Sequence, residues 1–329
     1  NSADPVAGTG GFTIANNKYL APAFACSGIS GTVHINFGQR DFRDAPPTDY
    51  GMLLPNRVAR RATPSSQPIT PYIEPWQNIA IRKHVGSASP QSFTGLGFTP
   101  QFAWIMSEST DAKVTIDTVS NSCLRSNTTA AHSAISGLTL DADGYTIPAN
   151  TADVSTTGVT YNVLLLKSNP RFFRIVTWTG DNTSNRMINH GGFSTPQFII
   201  AKRTDSTGNW YFSHRGYTGS AYWTVMNGAG TAQVNTNSPF GTGSRTTTQF
   251  MVSNDATNNL NALGATYVAY CFFEEPGVCD LDDDMRGNGA NPGTVINTLY
   301  SAPQFLMSWA PNVADEVNCW FDQGFNPQN

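Results

Sequence analysis

Apolar residues along the chain fall into short runs rather than into a helical stripe. Three of these runs open alike. Thr99-Pro100-Gln101-Phe102 leads into Ala-Trp-Ile-Met, Thr195-Pro196-Gln197-Phe198 into Ile-Ile-Ala-Lys, and Ala302-Pro303-Gln304-Phe305 into Leu-Met-Ser-Trp. Each reads as a buried strand, with proline at its first position, where no ladder donor is needed. A longer apolar run closes each of the first two repeats, at residues 160–166 and 266–273. A Gly-aromatic step, Gly97-Phe98 and Gly192-Phe193, precedes the first two copies.

Pro100, Pro196 and Pro303 stand 96 and 107 residues apart, a β-sandwich's worth of chain. The repeat predicts two complete sandwich modules, residues 78–169 and 170–277, and a partial third, residues 278–329. Within the second, Asp205-Ser206-Thr207-Gly208 links two strand-like runs as a hairpin turn. Trp210, Phe212 and Ile199 fall at alternating positions, as a single buried face would place them. The N-terminal part differs. Residues 1–44 hold one strand-like segment, residues 31–38. Seven prolines between 45 and 77 remove too many backbone donors for sheet or helix, which predicts an extended arm.

Composition sharpens the fold class. Charged residues make up 13% of the 329 residues, with 18 Asp against five Glu and 14 Arg against five Lys. Glu and Lys favour helices, whereas the abundant Thr, Asn, Ser and Gly favour strands and turns. The expectation is an all-β chain of tandem lectin- or jelly-roll-like sandwiches with a Pro-rich N-terminal arm. A net charge of −4 with no basic run argues against nucleic acid, and no apolar stretch is long enough to insert in a membrane. Cys26, Cys123, Cys271, Cys279 and Cys319 are odd in number and widely spaced, which suits buried free thiols in a reducing compartment better than a disulfide framework or zinc site.

The second module carries a wider pattern: a Gly-aromatic step, Thr-Pro-x-Phe, Lys202-Arg203-x-Asp205, Gly208-Asn209-Trp210, and a closing Gly264-x-Thr266-Tyr267-Val268-Ala269-Tyr270. This resembles a β-sandwich repeat found in structural proteins of tailed bacteriophages. The first module keeps the Pro-Gln-Phe core but lacks Lys-Arg and Gly-Asn-Trp. The segment His34-Ile35-Asn36-Phe37-Gly38-Gln39-Arg40-Asp41-Phe42 resembles the closing strand of a SPRY-like lectin sandwich, implying that the native polypeptide extends upstream of Asn1. The resemblance implies a non-enzymatic virion protein assembled in the host bacterial cytoplasm: a tail fibre or other host-contacting appendage, or, alternatively, an architectural capsid-decoration or baseplate protein. Its partners would be other virion proteins and a host surface glycan. An arm that cannot fold alone should order against a sister subunit or a neighbouring virion protein, and a homo-oligomer such as a trimer is expected.

Catalytic patterns are missing. There is no Gly-x-Ser-x-Gly elbow, HExxH, P-loop or dinucleotide fingerprint, and the five histidines stand singly, as structural residues do. A glycosidase needs two carboxylates across a cleft, and only Asp117 and Glu274 fall near predicted strands. No cofactor is expected. The acidic cluster of Asp280, Asp282 and Asp284 could draw calcium, although no Gly or closing Glu completes an EF-hand. The aromatic-rich stretch 210–223 offers rings beside hydrogen-bonding groups, which suits stacking on sugars. Tyr211, Arg215, Tyr217 and Tyr222 are expected to face outward there, and the loop from Asp205 to Trp210 is expected to carry ligand specificity.

Overall fold

A computed structural model describes residues 77–120, 123–214, 222–227, 233–234, 238–275, 278–279, 305–308 and 318–321. The chain divides into two compact units, residues 1–65 and 66–329, and every described residue belongs to the second. The Pro-rich arm, the SPRY-like segment and the acidic cluster lie outside the described residues.

The described chain is all-β, and its named strands pair antiparallel. Repeat one supplies β1 (Ile79–Val85), β2 (Gln91–Phe93), β3 (Phe102–Ser107), β4 (Lys113–Asp117), β5 (Cys123–Arg125), β6 (Thr139–Asp141), β7 (Gly144–Ile147) and β8 (Thr160–Leu166). Repeat two supplies β9 (Phe173–Thr179), β10 (Arg186–Asn189), β11 (Phe198–Arg203), β12 (Trp210–His214), β13 (Tyr222–Val225), β14 (Gln233–Val234), β15 (Gln249–Val252) and β16 (Thr266–Phe272). The large sheets run β1-β8-β3-β4-β5 and β9-β16-β11-β12-β13-β14, the same order twice. A small sheet, β2-β7-β6 or β10-β15, completes each sandwich. Each proline stands two residues ahead of its strand rather than at the first position. The glutamine after it makes the first ladder bond: Gln101 N–H donates to Leu166 O (2.8 Å) and Gln197 N–H to Phe272 O (3.0 Å).

The repetition extends to single hydrogen bonds. At the end of the first strand, Gly86 N–H donates to Val159 O (2.8 Å) and Gly158 N–H returns to Gly86 O (2.9 Å). Gly180 with Ala265, and Gly264 with Gly180, repeat this pair at 2.8 and 2.9 Å. Gly158 and Gly264 take φ of 81° and 73°, where a side chain would be strained. In the closing strands the Tyr161 hydroxyl accepts from Thr156 N–H (3.1 Å) and the Tyr267 hydroxyl from Ala262 N–H (3.0 Å). These tyrosines anchor the turns before their own strands.

Three cores fill the spaces between layers. One lies inside the first sandwich, where Phe93, Tyr145 and Ile147 meet Ala103, Ile105, Val163 and Leu165. A second lies inside the other sandwich, where Ile188, Phe250 and Val252 meet Ile199, Tyr267 and Cys271. The third joins the two large sheets face to face: Phe102, Trp104, Met106, Leu164 and Leu166 pack with Phe173, Phe198, Ile200, Phe212 and Tyr270. The layers therefore run small, large, large, small. Each large sheet is covered on both sides, which explains why β3, β8, β11 and β16 are continuous apolar runs.

The third repeat joins the same core. Strands β17 (Phe305–Ser308) and β18 (Asn318–Phe321) form a two-stranded antiparallel sheet. Phe305 and Met307 pack against the shared core, with the Phe305 ring 6.4 Å from that of Trp104. All three Pro-Gln-Phe strands thus send their first and third side chains into one place.

Cys123, Cys271 and Cys279 are free thiols. Cys271 is fully buried in β16, and burial pushes its thiol up to about 12. It should resist alkylation at neutral pH until the protein is denatured. Rapid labelling of the native protein, read by mass spectrometry of the peptide, would contradict this placement.

Candidate functional site

The outward face expected from strict alternation is corrected by the second cover on the sheet. Tyr211 is 5% exposed: it packs edge-on against Trp223 in the outer core, and its hydroxyl donates to Asn258 Oδ1 (3.3 Å). Trp210 and Phe212 face the shared core, whereas Ile199 faces the outer one, so these three do not share a face. Arg215 and Tyr217 lie outside the described residues, and so do the side chain of Tyr222 and Asp280, Asp282 and Asp284. Among the described residues no group of three His, Cys, Asp or Glu side chains is placed to hold a metal.

The loop from Asp205 to Trp210 holds the two sandwiches together. Gly208 N–H donates to Thr129 O (2.9 Å), and His132 N–H donates to Thr204 O (2.9 Å), both across the modules. Trp210 is fully buried, with its indole N–H on Arg125 O (2.8 Å). Lys202 is also fully buried; its ammonium donates to Thr129 O (3.0 Å) and Gly208 O (2.7 Å). Burial, with Arg203 adding repulsion, pulls the Lys202 amine down to about 8. Arg203 pairs side-on with Asp205 (2.8 and 3.1 Å), and Asp205 also accepts from Thr266 N–H (3.2 Å), which fixes the turn. The Arg203 hydrogen bond holds the Asp205 carboxyl below the usual carboxylate range. The Lys-Arg-x-Asp and Gly-Asn-Trp motifs, found only in repeat two, are therefore the joint.

Asp117, His84 and His190 are buried and take their hydrogen bonds from within the fold. Asp117, 1% exposed, accepts from the Tyr270 hydroxyl across the joint (2.9 Å), from Ser120 Oγ (2.6 Å) and from the backbone of Val119 and Ser120. His84 donates from Nε2 to Val154 O (2.9 Å), meets the Tyr145 hydroxyl at Nδ1 (3.2 Å) and stacks on Tyr161. Trp178 in repeat two does the same work: its indole N–H donates to Leu260 O (2.9 Å) and its ring stacks on Tyr267. His190 accepts from Gly192 N–H and bonds Thr246 O. Burial lowers both His84 and His190 below the usual histidine range, so both stay neutral in this role.

One surface escaped the sequence reading. The Gly-aromatic steps diverge: Phe98 is 5% exposed, but Phe193 is 68% exposed. Phe193 N–H donates to Pro170 O (2.8 Å), which ties its loop to the segment joining the two repeats. In β9, Arg174 donates from Nη1 to Ser168 Oγ (3.3 Å), while its Nε is buried without an acceptor. No carboxylate pairs with Arg174 among the described residues. An arginine in β9 is an inconspicuous sequence signal, because only the register reveals what lies beside it.

Residues 75–324 match the profile of a domain family described as a domain of unknown function, DUF7483. That span covers most of the chain, so the protein belongs to this family. No curated protein and no solved structure matches it.

Proposed function

We propose that this member of the DUF7483 family is a non-enzymatic bacteriophage virion protein, acting as a tail fibre or another host-contacting appendage that meets a surface glycan. The reading rests on the resemblance of its repeats to phage structural sandwiches and on its low-charge surface rich in Thr, Asn, Ser and Gly. The observation that carries it furthest is the stacking of two sandwiches on a shared core, which gives a stiff block on which peripheral loops can be displayed. None of the buried ionisable groups described above is arranged as an acid–base or nucleophile pair.

One observation favours the architectural reading, a capsid-decoration or baseplate protein. The loop expected to carry specificity is occupied by the joint, and Tyr211 is in the core. Two measurements separate these readings. Imaging whole particles labelled at the C-terminus should place the chain on the tail, and the purified chain should bind host cells. A capsid location without cell binding would replace the appendage reading with the architectural one.

A further inference from the structure

The large sheet of repeat one brings an amine, an amide and a carboxylate to one point. Lys83 in β1 and Asn162 in β8 are register partners on adjacent antiparallel strands, and Glu108 follows directly on β3, the next strand over. Such partners stand roughly 5 Å apart at Cβ, well within reach of a lysine chain. Glu108 N–H donates to Thr160 O (2.9 Å), which fixes the residue beside the start of β8. Its Oε1 lies 2.7 Å from Lys83 Nζ and 3.0 Å from Asn162 Nδ2, so a single oxygen touches both groups. Lys83 and Asn162 continue the rows of Ile81 and Leu164, which pack on the shared core. Asn162 is buried there, while Lys83 and Glu108 are partly exposed.

Packing alone does not call for this set. Repeat two places Thr177 opposite Val268 in the same register, and Thr204 follows β11 as Glu108 follows β3. The equivalent point is therefore built there without an amine, an amide or a carboxylate. A surface ion pair would need only Lys83 and Glu108, and the buried asparagine on the same oxygen is a further feature. Its chemistry is complementary to that of the pair. An uncharged lysine amine is a nucleophile, a carboxamide carbon is its electrophile, and a carboxylate within about 3 Å of both can carry the proton between them.

We propose that Lys83 and Asn162 become joined by an isopeptide bond, with Glu108 as the proton carrier. The Lys83 ammonium gives a proton to Glu108 Oε1, and the freed Nζ lone pair attacks Asn162 Cγ. The Nζ–Cγ bond forms, the Cγ–Nδ2 bond breaks, and the leaving nitrogen departs as ammonia. Two protons leave Nζ in all: one goes to Nδ2, and the departing ammonia carries off the other as ammonium, so Glu108 ends ionised again. No oxidant or further reactant is needed. The fold holds the two groups side by side and the ammonia diffuses away, so even a slow step runs to completion. The bond would clip the strand by which the chain enters the first sandwich to the strand by which it leaves. The ring so closed spans most of the module, and a cross-link restricts the unfolded chain more as its loop grows longer.

Mass spectrometry of the purified full chain tests the bond. The intact wild-type protein should be lighter than its sequence by one ammonia. Its tryptic digest should contain one branched peptide that joins the Lys83 and Asn162 segments and is uncut at Lys83. The branched peptide decides, because an asparagine that closes on its own backbone also loses ammonia. Lys83→Arg keeps the charge beside Glu108 but supplies no nucleophile, and Asn162→Val takes the residue that repeat two uses in the same register. Both should fold, as circular dichroism reads it, show no branched peptide and melt below wild type. Glu108→Gln should also lack the branched peptide. Three results would each overturn the proposal: a folded wild type with no branched peptide after prolonged incubation, a branched peptide that persists in Glu108→Gln, or a branch elsewhere. The nearest alternative is Lys113 with Asn127, which both contact the exposed Asp111.

Discussion

Trp210→Ala should lower the stability of the protein by about 4 kcal/mol, within the range for large buried aromatics. The indole is fully buried in the shared core, and its N–H is spent on Arg125 O of the other sandwich. Truncation leaves a cavity at the joint and removes one of the two donors to Arg125 O, leaving the Thr128 N–H (3.3 Å). The matching residue in repeat one gives the control: Lys202 faces Trp210 in the ladder as Met106 faces Lys113. Lys113 is partly exposed and pairs with Asp111, so Lys113→Ala should cost less than about 0.5 kcal/mol. Denaturant titration of both variants checks the contrast. Equal effects would mean that the joint does not depend on the indole.

Gly86→Ala and Gly180→Ala should each cost about 3 kcal/mol, near the upper end for overpacking, because the clash is with backbone. The added Cβ would collide with Thr156 O in the first case and Ala262 O in the second. The two glycines occupy equivalent places in different sandwiches, so the pair also reports on cooperativity. With one core serving both large sheets, each variant should shift a single transition followed by tryptophan fluorescence, since Trp104 lies in one module and Trp178 and Trp210 in the other. Two separated transitions, only one of which moves in each variant, would show that the sandwiches unfold independently.

Much of this fold could be read from the sequence because its constraints are local. The Pro-Gln-Phe runs became β3, β11 and β17, and the turn at residues 205–208 joins β11 to β12 as expected. Cys271 sits in the closing strand. What stayed hidden is tertiary. Alternation gives two faces but does not say what lies over each, so it points Tyr211 to solvent although a second sheet covers it. The continuous apolar character of β8 and β16 was the available signal that both faces are buried. Histidine and tryptophan share no sequence likeness, so the equivalence of His84 and Trp178 emerges from their matching register, carbonyl hydrogen bond and stacking. The Lys-Arg-x-Asp motif was visible, but its task depends on residues 125–132, which are distant along the chain.

In each sandwich the opening and closing strands are neighbours, with Ile79 opposite Leu166 and Phe173 opposite Phe272. The chain therefore comes in and goes out of each module at the same end of the same strand pair. Tension between those two points would act on one rung at a time, peeling the pair open from that end instead of shearing all its rungs together. The same closeness lets a sandwich be spliced into a polypeptide, or lost from it, while the flanking segments keep nearly the same separation. A chain built this way can gain or lose a module without re-routing its ends, while the exposed face of the shared core would need new cover.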